Sequence, residues 1–134
     1  MLRSTTRFWA GALFLVVLVM AGLGLFTLWF LPSDCRVSFW PGQEFRVEVW
    51  SRAPPAQRYL FVRSLMDEHL ATGMVRAEVL EKLGQPDFAS GDNSYLSYDV
   101  RFFYEKPCGF SSVAFLALHF DAEGNLISRE IGFD

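Results

Sequence analysis

A long stretch without charge near the N terminus constrains this chain more than any other feature. No charged side chain occurs between residues 8 and 33 of the 134-residue sequence. The segment Phe8–Leu31 is predominantly apolar over 24 residues, and at roughly 1.5 Å per helical residue it can cross a hydrocarbon core of about 30 Å. It predicts a transmembrane helix, with residues 1–33 as a membrane anchor and a small domain after it.

Two tryptophans stand near the ends of the predicted helix. Trp9 and Trp29 are 20 positions apart, roughly 30 Å along a helix, so we expect each indole at a membrane interface. Pro32 ends the helix. A buried helix of a soluble protein fits less well, because it needs apolar partners on all sides from the 101 residues that follow.

A cleaved signal peptide is the main alternative to an anchor. Arg3 and Arg7 form a basic N-terminal flank, and Gly22-Leu23-Gly24 resembles a small-x-small cleavage site. The apolar run continues beyond that site to Leu31, which favours an uncleaved anchor, and the sequence leaves cleavage open.

Flanking charge and cysteine usage place the domain outside the cytoplasm. The N-terminal flank is short and basic, whereas the long C-terminal part mixes acidic residues with its arginines. The chain has two cysteines, Cys35 and Cys108, an even number that suits an oxidising compartment. They are candidates for a disulfide, with two unbonded buried thiols as the alternative. We predict a single-pass inner-membrane protein with its domain in the periplasm or otherwise outside the cytoplasm.

The domain is acidic. Residues 34–134 contain 10 basic and 15 acidic side chains, a net charge of −5. Nucleic acids attract basic surfaces through their phosphates, so this balance argues against a nucleic-acid partner.

Catalytic and metal-binding motifs do not emerge from the sequence. His69 and His119 are 50 positions apart and no HExxH is present. Residues 121–125 resemble the start of a calcium loop, but Gly124 stands at its fourth position instead of its sixth. We expect no metal, no cofactor and no enzymatic activity, with an active site built from distant residues as the alternative.

Hydrophobic periodicity predicts helices before strands. Residues 36–50 alternate apolar and polar side chains, which predicts a hairpin or a pair of extended segments in a connector over residues 34–56. Helical spacing predicts one helix over residues 57–71 and a second over residues 75–83, with Gly84 ending it.

Strand patterns dominate the C-terminal part. Residues 87–94 are predicted to form a loop, and three strands follow, at residues 96–102, 113–120 and 126–133. The order predicts an α+β domain, with a three-stranded antiparallel meander and two helices on one of its faces.

Aromatic residues outside the predicted core are the candidates for binding a protein partner. We look first at the sheet face turned away from the helices, where we place Phe103, Phe115 and His119, and at Phe110 in the loop beside Cys108. Packing of such aromatics over the hairpin or the membrane-proximal segment is the alternative.

Short motifs occur in a fixed order across residues 57–134. They are Gly73-Met74, Val79, Leu83-Gly84-Gln85-Pro86-Asp87, Leu96-Ser97-Tyr98, Leu118-His119-Phe120-Asp121, Gly124 and Leu126. Together they resemble the BamE-like (SmpA/OmlA) domain family. The resemblance implies an α-α-β-β-β fold, a bacterial envelope location and a non-catalytic role in contacting other envelope proteins.

Two features depart from the family pattern. The family often has Ser or Thr where Val75 stands, so the second helix is expected to fray or to find another cap. Many members are lipoproteins, whereas this chain has a long apolar anchor.

These observations predict a non-enzymatic, membrane-anchored envelope protein whose domain binds another envelope protein as an accessory or assembly factor. The alternative is an inhibitor or immunity protein that blocks a toxin or hydrolase at the membrane, because an acidic domain can mask a basic active site.

Overall fold

The structure, a computed structural model, describes residues 16–22, 35–103 and 113–134. The chain divides into two compact units, Met1–Ser33 and Asp34–Asp134.

In the first unit, residues 16–22 form helix α1, with all of their side chains exposed. Within the described ranges no helix has the length and apolar character needed to cross a membrane. Most of the predicted anchor, including Trp9 and Trp29, lies outside the described residues, so the transmembrane helix stays a prediction.

The second unit is an α+β domain, as predicted. Its antiparallel sheet contains four strands in chain order: β1 (Phe88–Ala89), β2 (Tyr95–Phe102), β3 (Val113–Phe120) and β4 (Leu126–Phe133). Its helical elements are a 3₁₀ turn (Val37–Phe39), α2 (Val47–Arg52), a 3₁₀ segment (Pro55–Leu60), α3 (Val62–Ser64), a π-helical turn (Leu65–His69) and α4 (Arg76–Leu83).

The prediction of three strands is wrong by one. The additional strand, β1, lies in the segment predicted as a loop and pairs with β2 through Phe88 opposite Ser97 and Ala89 opposite Leu96. Two residues are too few to produce a period-two hydrophobic pattern, so the sequence signal of this strand is absent.

The connector at residues 34–56 contains helical turns, so the predicted hairpin is wrong. Its buried side chains are Trp40, Phe45 and Trp50, five residues apart, instead of every second residue. The backbone N–H of Phe45 donates to Ser64 Oγ at 3.1 Å and not to a neighbouring strand. Burial of two indoles therefore overrides the alternating pattern.

The helical elements bury one face of the sheet. Trp50 is fully buried, and its Nε1 donates to the backbone carbonyl of Leu83 at 3.1 Å, which ties α2 to the end of α4. The strand residues in this core are Leu96, Tyr98, Val100, Ala114, Leu116, Leu118, Phe120 and Leu126. The helical residues that pack against them include Phe61, Val62, Leu65, Val79 and Leu83.

Helix α4 begins with a cap supplied by the sheet. Val75 offers no side-chain cap, as expected, but it forms a bridge with Asn125 of the β3–β4 turn. The backbone N–H of Arg76 donates to the carbonyl of Gly124 at 2.9 Å. At the other end, Gly84 adopts a φ of 75°, a conformation that favours glycine and ends the helix.

Candidate protein-binding face

The side of the sheet opposite the core is the candidate site, and we call it the outer face. Alternation along the strands defines it, because cross-strand partners project to the same side. Its members are Phe88, Tyr95, Ser97, Asp99, Phe102, Val113, Phe115, Ala117, His119, Ser128, Glu130 and Gly132.

An aromatic row crosses the outer face from β1 to β3. The ring centroids of Phe88 and Tyr95 are 6.0 Å apart, and those of Tyr95 and His119 are 5.0 Å apart. Phe88 is 59% exposed, while Tyr95 and His119 are partly buried. The row continues to β4 through Glu130, whose Oε1 lies 3.4 Å from His119 Nε2. It therefore presents accessible ring surface from β1 to β3, with a carboxylate at its β4 end.

Phe115 occupies space that a glycine leaves open on the neighbouring strand. Phe115 pairs with Gly132 of β4, and a Cβ built at residue 132 would overlap the Phe115 ring. Aromatic side chains that cover a cross-strand glycine stabilise the pairing of the strands. Gly132 thus sets the position of the ring on the outer face.

A groove of about 430 Å³ lies between the aromatic row and the ends of β3 and β4. Its lining residues are Phe88, Tyr95, Ser97, Asp99, Val113, Phe115 and Asp134. Backbone hydrogen bonds in both directions between Val113 and Asp134, at 3.1 and 3.0 Å, hold the end of the groove together. The groove combines ring surface with two carboxylates.

The electrostatic environment of the groove disfavours a second negative charge. Burial is the main cause that raises the pKa of Asp99, and the nearby carboxylate of Asp87 raises it further. Arg58 opposes this shift, but its Nη1 lies 3.3 Å from Asp87 Oδ2. Asp87 Oδ2 also accepts the backbone N–H of Asp99 at 2.8 Å.

Two predicted binding residues, Phe115 and His119, lie on this face. Each is partly buried. They belong to different parts of the face, because Phe115 lines the groove whereas His119 belongs to the aromatic row.

Phe103 is in the core, so its assignment to the outer face is wrong. The pairing of β2 with β3 shifts register between Asp99 and Arg101. A β-bulge of this kind reverses the alternation beyond it. Phe102, predicted to face the core, is 41% exposed, whereas Phe103 is 8% exposed.

Of the remaining predicted residues, the structure describes Cys35 but not Cys108 or Phe110. Cys35 takes part in a disulfide bond, and none of the described cysteines is free. Cys108 and Phe110 lie outside the described residues, so the Cys35–Cys108 pairing and a role for Phe110 stay predictions.

The histidines differ in their surroundings. His69, at the end of the π-helical turn, packs against Phe45 with ring centroids 5.0 Å apart, which is a structural contact. His119 has a carboxylate neighbour in Glu130, but the two side chains are 39% and 67% exposed, and neither lines the groove. Across the residues that the structure describes, no group of three His, Cys, Asp or Glu side chains is placed to hold a metal ion.

Sequence reasoning did not select four of the residues that shape the aromatic row and the groove. Tyr95 and Asp99 alternate with the correctly predicted core positions of β2, so the same period-two pattern identifies them. Phe88 lies on the two-residue strand that produces no pattern. The role of Gly132 depends on its cross-strand partner, which appears only once the register is known.

Comparisons with protein-family models, with curated proteins and with solved structures find no match to this chain.

Proposed function

We propose that this chain is a non-enzymatic, membrane-anchored envelope protein whose domain binds another protein on the outer face. The observation that carries the proposal is the aromatic row and groove on that face. Phe88 is 59% exposed, and Tyr95, Phe115 and His119 are only partly buried. Aromatic side chains are enriched in protein interfaces because they offer large contact areas at a low cost in side-chain entropy.

The arrangement of the polar groups favours binding over catalysis. A general base must reach a substrate held beside it, whereas His119 and Glu130 are not among the residues that line the groove. Beside the groove, the backbone N–H of Asp99 donates to Asp87 Oδ2 at 2.8 Å, so this part of the β2 edge is already hydrogen-bonded. A hydrogen-bonded edge beside exposed ring surface suits docking.

The membrane anchor and the envelope location rest on the sequence. The uncharged segment Phe8–Leu31 has the length of a transmembrane helix. The order of helical elements followed by antiparallel strands is the order that the resemblance to the BamE-like family implies. We therefore include the membrane anchor and the envelope location in the proposal. We propose that the protein acts on its partner as an accessory or assembly factor.

The test is recovery of a partner by the full-length protein. We would extract the tagged protein from membranes of its native cell in maltoside detergent, crosslink it and identify what co-purifies. Phe115→Ser and Tyr95→Ser should each lose a stoichiometric partner. The matched control is Phe39→Ser, because Phe39 is 63% exposed but lies on the 3₁₀ turn at the start of the domain. Recovery unchanged by both outer-face variants would overturn the assignment of the surface.

An inhibitor or immunity role is the second candidate, and the acidity of the domain favours it. Residues 34–134 carry a net charge of −5, and two carboxylates, Asp99 and Asp134, line the groove. An acidic surface can cover a basic active site. If the recovered partner is a toxin or hydrolase, the purified full-length protein should inhibit it, and an unaffected activity would reject this second candidate.

A further inference from the structure

The described residues that line the groove carry charge of one sign. Asp99 and Asp134 line it together with three aromatic residues, Phe88, Tyr95 and Phe115. Among its lining residues in the described part of the chain there is no lysine, arginine or histidine. The groove therefore offers a negative potential beside exposed ring surface.

Arg58, the cation that acts on the Asp99 carboxyl, is already engaged elsewhere. The Arg58 guanidinium lies 3.3 Å from Asp87 and 5.2 Å from the centroid of the Trp50 ring, and its side chain is only 14% exposed. It is held between Asp87 and the core and does not line the groove. The Asp99 carboxyl thus faces the groove with a second carboxylate, Asp87, nearby, and burial together with that neighbour raises its pKa. A positive charge brought into the groove would relieve both effects.

Aromatic rings beside carboxylates form a suitable site for a basic side chain. A guanidinium or ammonium group is attracted to a ring face, and it also forms charge-assisted hydrogen bonds with carboxylate oxygens. The domain already stacks arginine on aromatic rings, since the Arg101 guanidinium lies 4.3 Å from the Tyr59 ring centroid. A groove of about 430 Å³ has room for a long side chain.

We infer that the groove receives an arginine or lysine side chain from a basic, extended segment of the partner protein, with the aliphatic part of that side chain against Phe115 and Tyr95 and its charge at Asp99 and Asp134. The inference rests on the proposed function and adds the chemistry of the partner to it. Charge complementarity selects the occupant, because an acidic or neutral segment would leave the two carboxylates without compensation.

The first experiment uses defined peptides with the full-length protein in maltoside micelles. One short peptide alternates arginine with threonine, and its matched control replaces each arginine with glutamate. The basic peptide should shift the amide resonances of Ser97, Asp99 and Phe115, and added salt should weaken its binding. The acidic peptide should leave these resonances unchanged. Equal binding of both peptides, or shifts that map elsewhere, would overturn the inference.

Neutral substitutions separate a specific site from general acidity. The double variant D99N/D134N should weaken binding of the basic peptide about tenfold or more, a factor that corresponds to about 1.4 kcal/mol. The matched control is E123Q, which removes a charge from the exposed β3–β4 turn and should change the affinity less than about twofold. If both variants lose a similar amount of peptide affinity per removed charge, net charge alone explains the effect and the inference is overturned.

The native partner distinguishes failure of this inference from failure of the proposed function. If Phe115→Ser and D99N/D134N each lose the partner, the proposed function and the basic segment are supported together. Loss in Phe115→Ser alone keeps the surface but rejects the basic segment. No loss in either variant rejects both.

Two further occupants would be detected directly. Shifts of the same amides by phosphatidylcholine nanodiscs without any peptide would assign the groove to the choline group of a lipid headgroup. Self-association that Phe115→Ser abolishes would assign it to a second copy of the chain. Either result would overturn the inference.

Discussion

The two faces of the sheet are built from the same strands but have different surroundings. On β3, the inner residues Leu116 and Leu118 are fully buried under the helical elements, while the outer residues Phe115 and His119 remain partly exposed. Both faces carry large apolar or aromatic side chains. Burial explains the apolar side chains of the inner face, because each buried side chain contributes to the stability of the fold. Much of the outer-face ring surface stays in contact with solvent, so folding alone does not account for it, and the predictions below test that contrast.

The largest expected effect is the loss of an inner side chain. Leu116→Ala should lower the free energy of unfolding by about 3 kcal/mol, because it leaves a cavity in a fully buried site. Phe115→Ala, one residue away on the other face, should cost about 1 kcal/mol or less. Urea unfolding of the full-length protein, followed by tryptophan fluorescence, measures both. Equal losses would remove the contrast between the faces.

A buried hydroxyl on the inner face gives the next effect. Tyr98 is fully buried, and its hydroxyl donates to the backbone carbonyl of Gly84 at 2.9 Å. Tyr98→Phe should lower the free energy of unfolding by about 1 kcal/mol, because the carbonyl loses its partner. The same urea titration at neutral pH measures it, and an unchanged midpoint would show that this hydrogen bond does not stabilise the end of α4.

The same residue predicts how stability responds to alkaline pH. Burial raises the pKa of Tyr98 to about 12 from the ordinary value of 10.0. The unfolded chain therefore loses this proton first, so the stabilisation is complete below pH 10 and is lost as the pH rises towards 12. Tyr98→Phe should show a shallower loss of stability over that interval than the wild type. Parallel curves for the two proteins would contradict the raised pKa.

The regular parts of the domain were predictable from local pattern. Strands β3 and β4 have the bounds that the alternation predicts, and α4 ends at its predicted residue. These segments have a strong periodicity and clear end signals, such as Gly84. The connector shows the opposite behaviour, since its alternation is regular but its conformation follows the burial of Trp40 and Trp50. Tertiary packing decides where local patterns conflict with it.

The site was only partly predictable, for a reason that lies in register. Phe115 was placed on the outer face because β3 alternates without interruption over its core positions. Phe103 was misplaced because a one-residue bulge in β2 reverses the faces, and a bulge leaves no mark in the hydrophobic pattern. Positions that act through a cross-strand partner, such as Gly132 opposite Phe115, depend on pairing across the sheet. Such information is not local to any segment of the sequence.

Gly132→Ala tests the outer face with a small expected change in stability. The new methyl group overlaps the Phe115 ring, which is partly exposed and able to rotate away. The free energy of unfolding should change by less than about 1 kcal/mol, because loss of the ring contact is offset by the lower entropy of the unfolded chain. The side-chain resonances of Phe115 should shift strongly, and peptide or partner binding should weaken. A ring that keeps its resonances would show that Gly132 does not set its position.

The smallest effect compares two aspartates that receive the same substitution with opposite expected signs. Burial and the Asp87 carboxylate raise the pKa of Asp99, so its ionised form opposes folding at neutral pH, and Asp99→Asn should slightly increase stability. Hydrogen bonds from the side chains of Ser90 and Ser94 lower the pKa of Asp92 to about 2. Its ionised form supports folding, so Asp92→Asn should decrease stability.

The two variants should also differ in how they depend on pH. The stabilisation from Asp92 is present above its ordinary pKa of 3.8 and is lost as the pH falls towards 2. The penalty from Asp99 is present above its raised pKa and disappears as the pH falls through that value to below 3.8. Below pH 2 both variants should approach the wild type. Urea midpoints measured from pH 7 down to pH 2 test this. A loss of stability in Asp99→Asn at neutral pH would mean that the wild-type Asp99 carboxylate stabilises the free domain. If the stability penalty from the Asp99 carboxylate disappears in acid, and Asp99→Asn also loses peptide binding, the Asp99 carboxylate serves the contact with a partner.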